Sequence, residues 1–103
     1  MPDPTVLGRI ADRLKRQYSA ERVIVYGSVV RGEATIHSDI DLLVVAPSTE
    51  KGYQRMAAVK ALVRDLSRGL PLSPIVLTPE ELKQRLSDED PFVGGIVDAG
   101  VEL

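Results

Sequence analysis

Cysteine and tryptophan are absent from this sequence, and phenylalanine occurs once. Lacking cysteine, the chain forms neither disulfides nor thiolate metal sites, which fits a reducing compartment. Its core must be built from aliphatic side chains. Strong charge of either sign is also missing: 13 Lys and Arg against 15 Asp and Glu leave a net charge of −2, which speaks against a basic nucleic-acid binder. No apolar run approaches the length needed to span a bilayer. The start, Met1-Pro2-Asp3-Pro4, lacks a basic segment followed by an apolar one, so no secretory signal is expected and the cytoplasm is the expected compartment. Internal repeats and low-complexity tracts are lacking too. What is there, 103 residues of which 44% are hydrophobic, suits one globular domain, expected over residues 1–103.

The most informative stretch runs from Val23 to Val45. Val23-Ile24-Val25-Tyr26 is a β-branched run that ends in Gly27-Ser28, and Asp39-Ile40-Asp41-Leu42-Leu43-Val44-Val45 opens a second strand with two aspartates around one isoleucine. Side chains at i and i+2 of a strand share a face, so Asp39 and Asp41 should lie side by side. Adjacent carboxylates repel unless a cation sits between them, and a hard divalent ion such as Mg²⁺ suits two oxygen donors. Gly27 permits close approach of backbone to ligand, and Ser28 offers a hydroxyl and an N–H suited to phosphate. Metal with phosphate points to phosphoryl or nucleotidyl transfer.

Around this stretch the pattern reads as alternating helices and strands. Asp3-Pro4 marks a helix start, and Val6, Leu7, Ile10, Ala11 and Leu14 predict a helix over about 4–18, with Arg9, Arg13 and Arg16 on its wet side. Arg22–Tyr26 reads as a buried strand, Ser28–Arg31 as one helical turn and Gly32–Ser38 as a loop. The Asp39–Val45 strand is apolar on both faces beyond its aspartates and is expected at the centre of the sheet. A helix is expected over about 50–67, with Met56, Val59, Leu62, Val63 and Leu66 inside and Gly69 ending it. Leu72–Leu77 reads as a strand whose Pro74 argues for an edge position or a bulge. Thr78-Pro79-Glu80-Glu81 is a capping box that starts a helix running to about Leu86. Asp90-Pro91 starts another that stops at Gly100, and Val101–Leu103 adds a short strand. The expected fold class is α/β, a small mixed sheet with helices packed on it.

Gly27-Ser28, ten further residues and Asp39-x-Asp41 resemble the signature of the nucleotidyltransferase superfamily that includes DNA polymerase beta and kanamycin nucleotidyltransferase. Arg31-Gly32 and Ser38, with the tail Val76-Leu77-Thr78-Pro79-Glu80-Glu81-Leu82, Asp90-Pro91-Phe92 and Gly100-Val101, look like the minimal members of bacteria and archaea, so the resemblance covers nearly the whole chain. It implies the polymerase beta-like fold, Asp39 and Asp41 as catalytic ligands of Mg²⁺, and Gly27, Ser28, Arg31 and Ser38 as nucleotide-binding residues. It implies ATP or another NTP as substrate, transfer of a nucleoside monophosphate, AMP above all, to a hydroxyl, and a helical HEPN-type partner in a toxin–antitoxin pair. Neither a membrane nor a nucleic acid is an expected partner, given the short apolar runs and the net charge of −2.

One departure accompanies the resemblance. Larger members carry a third carboxylate on the following strand, and the position it would take here is Ser73. Serine is a poor metal ligand and a poor base at neutral pH. The alternative to an enzyme is therefore a weakened, nucleotidyltransferase-like binding module that neutralises its partner by contact. His37 reads as an exposed loop residue, Lys51, Arg55, Lys60, Arg64 and Arg68 as a solvated basic helix face balanced by Glu50 and Asp65, and Tyr18, Tyr26 and Tyr53 as packing residues.

Overall fold

A computed structural model describes residues 4–35 and 38–103. The expected helix start at Asp3 and the loop residue His37 lie outside the described residues. The order is α1 (Pro4–Gln17), β1 (Arg22–Tyr26), α2 (Ser28–Arg31), β2 (Ile40–Val45), α3 (Gly52–Leu62), β3 (Leu72–Leu77), α4 (Pro79–Ser87), α5 (Pro91–Ala99) and β4 (Val101–Glu102). Four strands form one mixed sheet in the order β3-β2-β1-β4. β2 is antiparallel to β1 and parallel to β3, and β4 is antiparallel to β1. The expected α/β class is the class observed, and β2 has a neighbour on each side, as its two apolar faces require.

The strand alternation divides the core in two. Val23, Val25, Ile40, Leu42, Val44, Leu72 and Val76 bury against α1 (Leu7, Ile10, Ala11, Leu14), Val59 of α3 and Val63 just beyond its end. Ile24, Leu43, Val45 and Leu77 bury against α4 (Leu82) and α5 (Val93, Ile96). Each face of β1, β2 and β3 thus meets one helical layer, the arrangement that removes most apolar area from water.

Pro74 sits in β3 without a bulge: the register runs unbroken from Ile40 opposite Leu72 to Val45 opposite Leu77. The Ile40 and Ala46 N–H groups donate to the Pro71 and Leu77 carbonyls, so the odd-numbered residues of β3 face β2. Pro74 therefore turns its missing N–H to the open edge, where no ladder bond is lost. Arg55 of α3 covers part of that edge by donating to the Val76 carbonyl at 3.3 Å.

α3 differs from expectation. It spans Gly52–Leu62 rather than about 50–67, and Gly69, at φ 76°, closes a later turn instead of the helix. Two contacts explain both ends. The Gln54 side chain accepts the Lys51 N–H at 3.0 Å and fixes the start. Arg13 of α1 donates to the Leu62 carbonyl at 3.3 Å and pairs with Asp65, satisfying the helix end from another element. Met56 and Tyr53, expected inside, are 40% and 69% exposed, because only Val59 of α3 is fully buried. Arg13 is correspondingly not a freely solvated charge, and Asp65 balances Arg13 rather than the basic residues of α3.

Arg55 also leaves the solvated face predicted for it. Its guanidinium holds Glu81 and donates to the Glu50 carbonyl at 2.7 Å. Glu81 closes the capping box of α4, accepting from the Thr78 N–H at 2.8 Å while the Thr78 hydroxyl accepts from the Glu81 N–H at 3.1 Å. The Arg55 hydrogen bond, with the Thr78 N–H second, holds the Glu81 carboxyl below its ordinary value. Glu81→Ala should lower stability by about 2 kcal/mol, combining a lost cap with lost charge-assisted hydrogen bonds, and lower Tm by about 10 °C. A depressed folded-state pKa contributes stability above the ordinary carboxylate range and loses it as pH falls through the depressed value. Melts of variant and wild type should therefore diverge at pH 7 and converge in acid; an equal gap at both would remove the ion pair from the explanation.

Candidate active site

One end of the sheet gathers the candidate residues. The C-terminal end of β1 and the N-terminal ends of β2, β3 and β4 all meet there, as the antiparallel β1–β2 and β1–β4 pairs and the parallel β2–β3 pair require. Gly27 leaves β1, Asp39 enters β2, and Asp41 lies opposite Tyr26 on one side and Ser73 on the other. Paired residues share a face of the sheet, so Tyr26, Asp41 and Ser73 form one row on the α4–α5 side. Asp39 lies one residue before β2, in a stretch without regular structure, rather than within the strand as expected.

Asp41 lies close against Gly27. Gly27 has φ 80° and ψ −146°, a region open almost only to glycine. A Cβ on it would stand 2.6 Å from the Asp41 Oδ2. The bare glycine thus lets a carboxylate lie against the turn. The Gly27 carbonyl accepts from the N–H groups of Val30 and Arg31 at 3.1 Å each, which winds the chain into α2. Ser28 is the first residue of that turn and Gly27 its N-cap, so Ser28 does not itself cap the helix.

Burial raises the Asp41 carboxyl above its ordinary value, the charge of Asp39 raises it further, and Arg31 opposes both. The two aspartates are therefore electrostatically coupled, and Arg31 lies within reach of their field. Arg31 is exposed and pairs with Glu33 at 3.3 Å. Burial, with the Asp41 charge second, pushes the Tyr26 phenol up to about 12. Ser38 is engaged in its own loop: its hydroxyl accepts the Thr35 N–H at 2.9 Å and its N–H donates to the Thr35 carbonyl at 3.1 Å. The structure so brings Gly27, Ser28, Arg31 and Asp41 together, with Asp39 beside them, and gives Ser38 the task of closing the loop that leads to Asp39.

Among the described residues no group of three or more Asp, Glu or His side chains could enclose a metal by itself. The donor set is two coupled carboxylates, open on the solvent side. That suits Mg²⁺, which is commonly held by one or two carboxylates and completes its octahedron with water and substrate phosphate oxygens. Asp39 and Asp41 are the residues that would hold it.

Sequence reading missed two features, one beside Asp39 and one beside the Gly27 turn. On the β3 side Asp39 shares a cavity of about 370 Å³ with Lys60 of α3 and Arg64 in the turn after it, which makes part of the face expected to be solvated a wall of the site. On the β1 side Tyr26, Gly27 and Arg31 line a cavity with Phe92 and Gly95 of α5. Only Gly94-Gly95, two glycines inside a capped helix, hinted at the second in the sequence, because glycine disfavours helix interiors.

A family model described as Nucleotidyltransferase domain matches residues 7–99. A relative from Methanocaldococcus jannaschii, provisionally named a protein adenylyltransferase, is 29% identical over 97 residues; the match covers 89% of this chain and 65% of the relative. The chain thus spans just under two thirds of that relative's length.

Proposed function

This chain belongs to the nucleotidyltransferase domain family, and from that membership we propose that it transfers AMP from Mg·ATP to a hydroxyl on a partner protein. The observation that carries the reading is Asp41 lying against the Gly27 turn with Asp39 beside it. A carboxylate pair beside a glycine turn is what nucleotidyl transfer needs and a simple strand end does not.

In the proposed reaction the acceptor hydroxyl gives up its proton to water, its oxygen attacks the α-phosphorus, the bond to the bridging oxygen of the β-phosphate breaks, and pyrophosphate carries away the electron pair. Bound Mg²⁺ would supply charge neutralisation for the phosphate oxygens. Gly27 and Ser28 receive the phosphates, Arg31 adds positive charge at the β1 side, and Asp39 and Asp41 orient the reacting group. In-line displacement sets leaving and attacking oxygens on opposite sides of phosphorus. With phosphates at the β1 side, the acceptor comes from the β3 side, where Ser73, Lys60 and Arg64 lie. The name of the archaeal relative supports a protein as acceptor. We propose a small helical HEPN-type protein as that partner and an antitoxin role for this chain. Among the described residues no helix is long and apolar enough to cross a membrane, and we place the protein in the cytoplasm.

Mass spectrometry of the partner after incubation with Mg·ATP tests the transfer: an AMP adduct on a hydroxyl side chain is expected, and an unmodified partner bound in a stable complex would favour the second reading. That second reading, a weakened binding module, rests on Ser73, which stands directly opposite Asp41 where a base would be useful. Ser73→Asp decides between them. If a missing base limits the wild type, transfer should accelerate, by as much as about 10²–10⁴-fold. The added carboxylate should also lower Tm without Mg²⁺ and enlarge the rise on adding it. The melting signature without faster transfer would place Ser73 at the metal and remove the missing base as the limit.

A further inference from the structure

The cavity on the β1 side is not used by the transfer chemistry itself. It measures about 330 Å³, within the size range of small-molecule pockets, roughly 300–1,000 Å³. We propose that it takes the nucleobase of the nucleotide whose phosphates lie at Gly27 and Ser28. The inference rests on the nucleotidyl-transfer reading and names a subsite within it.

Three observations converge. First, the cavity and the phosphate turn share Gly27 and Arg31, so an occupant of one is continuous with an occupant of the other. Among the described residues of the lining Arg31 is the one that carries a charge, and the remainder of the surface is mainly apolar. A flat, uncharged ring joined to phosphates matches that division.

Second, Phe92 is 54% exposed although it is the sole phenylalanine of the chain. It meets Tyr26 edge to face, with ring centroids 5.9 Å apart and planes at 83°. The contact holds Phe92 at the cavity mouth yet leaves more than half of it accessible. Aromatic side chains placed this way stack on nucleobases with little regard to sequence.

Third, Gly95 lines the cavity for no packing reason. A Cβ built on it meets nothing within 4 Å, and the same is true of its neighbour Gly94, which does not line the cavity. Both lie in the interior of α5, where glycine is unfavourable. At Gly95 the missing side chain keeps the cavity open.

The test compares two probes on the wild type and three variants. Mg·ATP engages phosphate turn and cavity together, whereas Mg·tripolyphosphate has no base and engages the turn alone. Gly95→Leu fills the cavity, Phe92→Ala removes the exposed ring, and Gly94→Ala is the control on the same helix. Calorimetric titration should show ATP bound about tenfold more weakly, or worse, by Gly95→Leu and Phe92→Ala, with tripolyphosphate affinity unchanged. Gly94→Ala should bind both probes as the wild type does. Gly95→Leu and Gly94→Ala should melt no lower than wild type, since each replaces a helical glycine. Unchanged ATP affinity in Gly95→Leu would overturn the inference, leaving the cavity to another occupant such as a side chain of the acceptor. Equal losses for both probes would also overturn it, because the substitution would then be acting on the turn. A wild type that binds neither probe would sink the nucleotidyl-transfer reading beneath it.

Discussion

Asp39→Asn combined with Asp41→Asn should abolish the Mg²⁺-dependent part of ATP affinity and reduce transfer by about 10³-fold or more. Each carboxylate contributes a negative oxygen that the amide replaces with a neutral one, and several kcal/mol of transition-state charge stabilisation depend on the cation they would hold. The fold should survive and, without metal, gain. Asp41 is partly buried and its carboxyl is raised above the ordinary value by that burial and then by Asp39. A raised pKa in the folded state means that the folded protein takes up a proton more readily than the unfolded chain. The ionised pair then costs stability at neutral pH, and the cost disappears as pH falls below the ordinary carboxylate range. With a chelator present the double variant should melt above wild type at pH 7 and level with it in acid. Titration calorimetry and melts on one preparation read both effects. Equal Mg·ATP affinity in variant and wild type would remove Asp39 and Asp41 from the site.

Gly27→Ala is the second large effect, and it separates strain from function. The backbone at φ 80° and ψ −146° is a region essentially confined to glycine, so alanine should cost about 1–3 kcal/mol. Its Cβ would also stand 2.6 Å from the Asp41 Oδ2. The crowded atom is the tip of a side chain and can swing aside, so the clash adds little to the loss of stability. It does move the carboxylate, and a misplacement of about 1 Å can cost roughly 10²-fold in rate. Gly32 provides the comparison. It too has a positive φ, 74°, but a Cβ there meets nothing within 4 Å. Gly32→Ala should lose about 1 kcal/mol from the left-handed conformation and keep its activity. If both variants lose activity in proportion to their stability, Gly27 is a turn residue and nothing more. A collapse of transfer in Gly27→Ala alone, at a temperature where both are folded, is the expected result.

The elements with their own local marks were readable in advance. Asp90 and the Thr78–Glu81 box start α5 and α4 through hydrogen bonds to residues two or three positions away. β1 and β2 are β-branched runs, and Pro74 argued for an edge position or a bulge in β3, of which the sheet shows the edge. Where α3 stops was not readable, because Arg13, 49 residues away in sequence from Leu62, satisfies its last turn. Nor was the burial of Met56 and Tyr53 predicted correctly. Helical spacing says which residues share a face, but the neighbouring elements decide how wide a face is covered.

The candidate site divides in the same way. By itself the sequence determined the aspartate pair, the Gly-Ser turn and the loop length between them, because each is a matter of residue type and short spacing along one chain segment. Only the tertiary structure decided that Asp41 rests against Gly27, that Ser73 stands opposite Asp41, that Lys60 and Arg64 share a cavity with Asp39, and that Phe92 and Gly95 share one with Gly27. Those relations follow from strand register and from how α3 and α5 dock on the sheet, and both are set by the apolar faces buried between elements far apart in the chain. A side chain's type is written in the sequence; what stands within a few ångströms of it is settled by the packing of the whole domain.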